Sequence, residues 1–300
     1  MLQSLTEVRD ELHAWTSSGI VRVPTGYKLV DRPTLGGPAP GELMLFIART
    51  GVGKTWWALN VLANNPDTPA VFFELEMHAR YVLKRLAAVY TGTPTKSIEM
   101  SLRNEGYSPA VDKTVETFSK LEIVDQPGLG IPDMVQACKD YAEKHGEAPR
   151  LVIVDYVELV RSFGTTETES VKRLMAGLKD MAREVDAVVL ALHQAGRGAA
   201  IKRRGEEQAY TDEGHRPLSK GSAMHGGEAS ADYMVGAFRP GLDPSLPHFR
   251  RQELANDIRL QFLKTRGDEE IDPRPVQHFW DQPTGRILEL DWEKERKPRW

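Results

Sequence analysis

The stretch that most restricts what this chain can become is Ala48-Arg49-Thr50-Gly51-Val52-Gly53-Lys54-Thr55. An apolar run, Leu43 to Ile47, precedes it and reads as a buried strand. The segment after it, Trp56 to Leu62, reads as a helix. Strand, glycine-bearing loop, Gly-Lys-Thr and helix is the setting in which backbone N–H groups and a helix N-terminus cradle phosphates. Residues Ala48, Arg49, Thr50, Gly51, Val52, Gly53, Lys54 and Thr55 are therefore the expected nucleotide-binding loop, with alanine where the pattern normally opens on glycine. Lys54 is placed to reach the β- and γ-phosphates of ATP, and the Thr55 hydroxyl to ligate Mg²⁺.

The 300 residues, 40% of them hydrophobic, allow one large or two small domains and a sizeable core. No apolar run approaches the ~20 residues of a membrane helix. The segment from Met1 to Trp15 carries acidic residues and no signal-peptide core, so the expectation is a cytoplasmic protein without a membrane partner. Cys138 is the only cysteine, which excludes an internal disulfide and a cysteine-cluster metal site. The eight histidines show no ligand-like spacing. A net charge of −4 means that any nucleic-acid contact must come from a local basic patch.

Leu2, Leu5, Val8, Leu12 and Trp15 recur at helical spacing, predicting a short amphipathic helix from Leu2 to Trp15 that packs on its own domain or on a neighbouring subunit. From Leu43 onward, strand and helix patterns alternate. Strands are expected at Ala70–Glu76, Leu121–Val124, Leu151–Asp155 and Ala187–Leu192. Helices are expected at about His78–Tyr90, Pro132–His145 and Ser170–Val185. Later strands are expected at Tyr233–Phe238, Ile258–Lys264 and Val276–Trp280, the last turning through Asp281–Gly285 into Arg286–Leu290 as a hairpin. The predicted fold is α/β: a mostly parallel central sheet flanked by helices, with a C-terminal antiparallel hairpin. The expected division is a linker-type helix over 1–18, the core over 19–291 and a charged tail over 292–300.

Three further features bear on chemistry. Val152-Ile153-Val154-Asp155 is an apolar strand ending in an acid, suited to support Mg²⁺ beside the phosphate loop, so Asp155 joins the nucleotide and metal residues. Tyr156 follows it, so a hydrolytic base must come from elsewhere. Phe73-Glu74-Leu75-Glu76 ends the neighbouring strand. Alternation puts Glu74 and Glu76 on one face, leaving both open as the carboxylate that polarises water. His193-Gln194 ends the strand after Asp155, where the Gln194 amide can hydrogen-bond a γ-phosphate and report its loss.

These residues reach a known family. The chain resembles the RecA-like ATPase core of the DnaB-type replicative helicases. Pro24-Thr25-Gly26-Tyr27…Leu29-Val30-Asp31 is similar to the family's "PTGF..LD", Glu74-Leu75-Glu76-Met77 to "SLEM", Ile153–Tyr156 to "IDY" and Leu192-His193-Gln194 to "LSQ". Lys220-Gly221-Ser222 with Ala231-Asp232 resembles "SGS…AD", and Lys264-Thr265-Arg266-Gly267 resembles "KxRNG". The resemblance implies that Glu76 is the base and that Glu74 is the departure from the pattern. It implies that Gln194 is the sensor, and that Lys264 and Arg266 act on a neighbour's nucleotide. It also implies a homo-oligomeric ring, a hexamer, that hydrolyses ATP to move on single-stranded DNA, with primase or loader proteins as partners. The family's N-terminal helical domain is expected to be lacking, as in a phage or plasmid type. The alternatives are a RecA- or RadA-like recombination ATPase, and a nucleotide-dependent loader or switch that unwinds nothing.

Two loops leave the edge where such a ring would face its channel. Arg161 opens the first, and Arg197, Lys202, Arg203, Arg204 and Lys220 lie in the second. With only Tyr210 as an aromatic in the second loop, backbone tracking rather than base stacking is the expected mode of DNA contact.

Overall fold

The computed structural model describes residues 3–17, 22–162, 164, 166–196, 215–219, 221, 223, 228–266 and 271–290. In chain order, α1 (Leu5–Ser17) and the one-turn α2 (Lys28–Asp31) lead into β1 (Leu43–Ala48) and α3 (Lys54–Ala63). Next come β2 (Ala70–Glu74), α4 (Ala79–Thr91), α5 (Thr95–Glu105), α6 (Pro109–Thr117), β3 (Leu121–Val124) and α7 (Ile131–His145). β4 (Leu151–Asp155), α8 (Glu167–Glu184) and β5 (Val188–Gln194) complete the parallel part. β6 (Tyr233–Phe238), α9 (His248–Glu253), β7 (Asp257–Lys264), β8 (Val276–Asp281) and β9 (Arg286–Glu289) follow.

The strands form one nine-stranded sheet in the order β3-β2-β4-β5-β1-β6-β7-β8-β9. From β3 to β6 every pairing is parallel; β6 to β9 run antiparallel, and β8 and β9 form the expected hairpin. Continuous burial of the inner strands follows from helices covering both faces. Along β1, Met44, Phe46 and Ala48 enter the core beneath α3 and α4. Leu43, Leu45 and Ile47 enter the second core, beneath α7 and α8. Trp57 of α3 is fully buried and stacks on Phe46 with ring centroids 4.1 Å apart. Trp57→Ala should cost about 3–5 kcal/mol, read as a lowered urea midpoint; a cost below ~1 kcal/mol would mean that α3 collapses onto the space instead.

The structure corrects several expectations. β2 ends at Glu74, two residues early, because Leu75 to Met77 bend away from the sheet. α5 and α6 fill a stretch in which no element was expected. Each buries so little (Ile98 in one, Ala110 and Thr114 in the other) that its apolar periodicity is faint. The six-residue α9 was likewise unexpected and buries nothing. α1 is shifted to Leu5–Ser17 and has no buried residue. The expected tail, 292–300, lies outside the described residues.

Candidate functional site

The site forms at the C-terminal ends of β1, β2, β4 and β5, where open α/β sheets take ligands. Register brings the parts together: Ala48 of β1 lies beside Gln194 of β5, and Glu74 of β2 beside Asp155 of β4. Between β1 and α3 the chain turns through Gly51 (φ +77°) and Gly53 (φ +117°), a left-handed backbone that side chains resist. A Cβ on Gly53 would also lie 3.2 Å from the Trp280 ring. This loop sets the N-terminus of α3, with its unpaired N–H groups, at the mouth of a cavity of about 310 Å³. Gly51, Lys54, Thr55, Glu76, Asp155 and Gln194 line it, with Trp56, Arg85, Tyr156 and Trp280 around them. A second cavity of about 310 Å³ lies between His215, Phe238 and Arg259, with none of the phosphate-binding elements.

Lys54 Nζ donates to Ala48 O at 3.4 Å and faces the Tyr156 ring at 5.9 Å. Burial lowers its pKa, opposed by the charges of Glu158, Asp155 and Glu76. Burial pushes Asp155 up to about 6, opposed by a hydrogen bond from the Thr55 hydroxyl and by the Lys54 charge. Among the described residues Asp155 Oδ2 is buried without a partner. A hydroxyl and a carboxylate side by side, one oxygen unpaired, with a cation and helix N–H groups next to them, fit Mg²⁺ and phosphates in donor set and charge.

The structure separates the two carboxylates that alternation left open. Glu76 lies in the bend after β2, exposed into the cavity. Glu74 is 1% exposed, and its Oε1 accepts the N–H groups of Glu76 at 2.9 Å and Met77 at 2.8 Å. Burial, then the nearby Asp155 charge, pushes Glu74 up to about 7 against those hydrogen bonds.

Gln194 Nε2 donates to the Thr50 hydroxyl at 3.0 Å, linking the strand end to the phosphate loop. Its N–H donates to Glu158 Oε1 at 2.6 Å, and the same oxygen lies 2.9 Å from Nδ1 of fully buried His193. Burial raises the Glu158 pKa, but the His193 contact and the Gln194 N–H outweigh it and the net shift is downward. Glu158 was missed in the sequence, because nothing local marks it. So was Trp280, which reaches the loop from a strand far along the chain.

Lys264 and Arg266 do not join this cavity. Met234, at the start of β6, pairs with Lys264, at the end of β7, so β7 finishes at the opposite edge of the sheet. Lys264 Nζ donates to the carbonyls of Glu228, Ala229 and Ala231 at 2.7, 3.2 and 2.6 Å. Arg266 pairs with Asp232 at 2.6 Å, while its side chain stays 70% exposed. Asp232 Oδ2 in turn accepts the N–H of Leu43, the first residue of β1, at 2.8 Å. At ~3.3 Å per residue, the length of β1 puts roughly 17 Å between that point and the loop at Ala48.

Of the candidate DNA contacts, Arg161 anchors its loop: its N–H donates to Leu129 O at 2.7 Å and its guanidinium lies 3.3 Å from Asp133. Arg197, Lys202, Arg203, Arg204 and Lys220 lie outside the described residues. Among the described residues no helix is long and apolar enough to cross a membrane.

Residues 22–209 match the model of the DnaB-like helicase C-terminal domain family. The chain belongs to that family. The replicative DNA helicase DnaB of Pasteurella multocida is 30% identical over 190 residues, 60% of this chain and 40% of that one. The chain spans about 40% of the length of the first curated replicative DNA helicases it matches. Among solved structures, the ATPase domain of G40P superposes with a TM-score of 0.77 at 21% identity, covering 97% of this chain and all of that one. A DnaB-like replicative helicase, described with its interactions with primase, superposes with a TM-score of 0.72 at 22% identity over 97% of this chain and 68% of that one. The DnaB-like fold is thus a RecA-like ATPase fold along nearly the whole chain. The family match stops before β6, so the segment carrying Lys264 and Arg266 lies beyond it.

Proposed function

We propose that this chain is the motor core of a ring-forming replicative DNA helicase of the DnaB type, coupling ATP hydrolysis between subunits to movement along single-stranded DNA. The observation that carries the reading is the separation of the two halves of the site. Lys54, Thr55, Glu76, Asp155 and Gln194 gather at one edge of the sheet, and exposed Arg266 stands at the other. A second copy supplies what one copy lacks.

In this reading the loop N–H groups and Lys54 hold the β- and γ-phosphates. Thr55 and Asp155 would hold Mg²⁺, which when bound neutralises charge on the phosphate oxygens. Glu76 orients and deprotonates the attacking water. Gln194 senses the γ-phosphate and carries the change to the loops on either side through Thr50 and Glu158. Arg266 of a neighbour stabilises the transferring group, and Lys264 holds the segment before β6 that shapes that face. α1, with Leu5, Val8, Leu12 and Trp15 exposed, acts as a linker helix that docks on the adjacent subunit. Arg161, with the basic residues of the 196–227 loop, tracks the DNA backbone in the channel. Primase and loader proteins are the proposed partners, and the cytoplasm the proposed site of action.

ATP-dependent unwinding of a forked duplex tests the proposal, with Lys54→Ala as control. The wild type should separate strands and Lys54→Ala should not. ATP turnover stimulated by single strands without strand separation would overturn the helicase reading in favour of a recombination ATPase or a loader.

A further inference from the structure

We infer that Glu74 is a positioning residue that sets the backbone from which Glu76 reaches the cavity. The inference rests on the proposed role of Glu76 as the base.

Glu74 sits at the end of an apolar strand, fully buried, with no ion pair among the described residues. A carboxylate in such a place is costly unless its oxygens are used. One oxygen is used twice, by the N–H groups of Glu76 and Met77. The other, Oε2, is buried with no partner among the described residues. Glu74 is therefore a poor contributor to stability; an apolar side chain of the same size would remove a desolvated charge. What it does contribute is direction. Two successive N–H groups can converge on one oxygen only if the chain bends at Leu75 to Met77, and Leu75 is pinned from the other side by its N–H bond to Asp155 O at 2.9 Å. Between these restraints Glu76 leaves the sheet and faces Lys54 and Asp155 across the cavity. Where the family resemblance has serine, this chain has Glu74. A serine hydroxyl also accepts N–H groups two or three residues on. Here the Glu74 carboxylate takes both of those N–H groups.

The experiment compares Glu74→Gln, Glu74→Ser and Glu74→Met in the full chain. Gln and Ser keep an acceptor; Met keeps the volume and loses it. For each variant, kcat and KM for ATP are measured on single-stranded DNA, with the unfolding midpoint and the hydrogen exchange of the peptide containing Glu76 and Met77. Displacement of a reacting group by about 1 Å costs on the order of 10²-fold. Glu74→Met is therefore expected to lose at least about tenfold in kcat with KM nearly unchanged, to melt no earlier than wild type, and to exchange those two amides faster. Gln and Ser should stay within a few-fold of wild type in kcat and keep the protection. Unchanged exchange and kcat in Glu74→Met, or equal losses in Gln and Met, would overturn the inference. If Glu74→Met does not fold, stability rather than positioning is what Glu74 supplies, and the inference fails on that result too. Glu76→Gln in the same assay separates the two readings. If it keeps turnover, the base assignment falls whatever Glu74 does. If it loses turnover, adding Glu74→Met should cost little more, because the two act as a unit.

Discussion

Arg266→Ala should bind ATP as the wild type does and lose about 10³-fold or more in turnover when assembled, the range seen where a guanidinium completes a phosphoryl-transfer site. Folding should survive. The Arg266 side chain is 70% exposed, although its partner Asp232 is buried. Asp232 keeps Lys179 at 2.7 Å and the Leu43 N–H after the guanidinium is gone. The geometry makes a sharper test available. Arg266 and the phosphate loop of one subunit lie at opposite ends of β1, so the deficits of Arg266→Ala and Lys54→Ala belong to opposite faces of the subunit. Mixing the two inactive proteins should regain turnover, because some interfaces then pair an intact loop with an intact Arg266. Full turnover by Arg266→Ala alone, or no recovery on mixing, would sink the trans assignment.

Glu76→Gln should lower kcat by about 10²–10⁴-fold, the usual worth of a positioned general base, and leave ATP binding within a few-fold. The amide keeps the shape and the exposed setting of Glu76, so the melting temperature should not move. Single-turnover hydrolysis with pre-bound ATP isolates the chemical step. Glu74→Gln is the matched control, since it changes the same functional group two residues away, at a buried position that does not line the cavity. If Glu74→Gln loses turnover by 10²-fold and Glu76→Gln does not, the two carboxylates exchange roles.

The phosphate loop was legible because everything it needs is contiguous: a buried strand, two glycines in left-handed backbone, a lysine and a helix N-terminus within a dozen residues. Asp155 and Gln194 were legible for a related reason, each closing an apolar strand whose end must lie near that loop in a parallel sheet. The roles of Glu74 and Glu76 were not separable by alternation. Alternation assumes that the strand continues, and β2 stops at Glu74 once its carboxylate takes the next two free N–H groups. Glu158 was invisible because its partners, His193 and the Gln194 N–H, come from a strand some thirty-five residues away. α5 and α6 escaped because they bury too few apolar residues to leave a period.

From local sequence alone came the α/β sheet and the groups expected to meet a phosphate-bearing ligand. What pairing between distant strands added is that Arg266 and the phosphate loop stand at opposite ends of β1. Motif order places Arg266 in the chain but says nothing of which edge it reaches. The reversal at β7 does that: an antiparallel strand carries its C-terminal end to the edge where the parallel strands begin. Strand direction is a property of pairing between distant segments, and no local pattern records it.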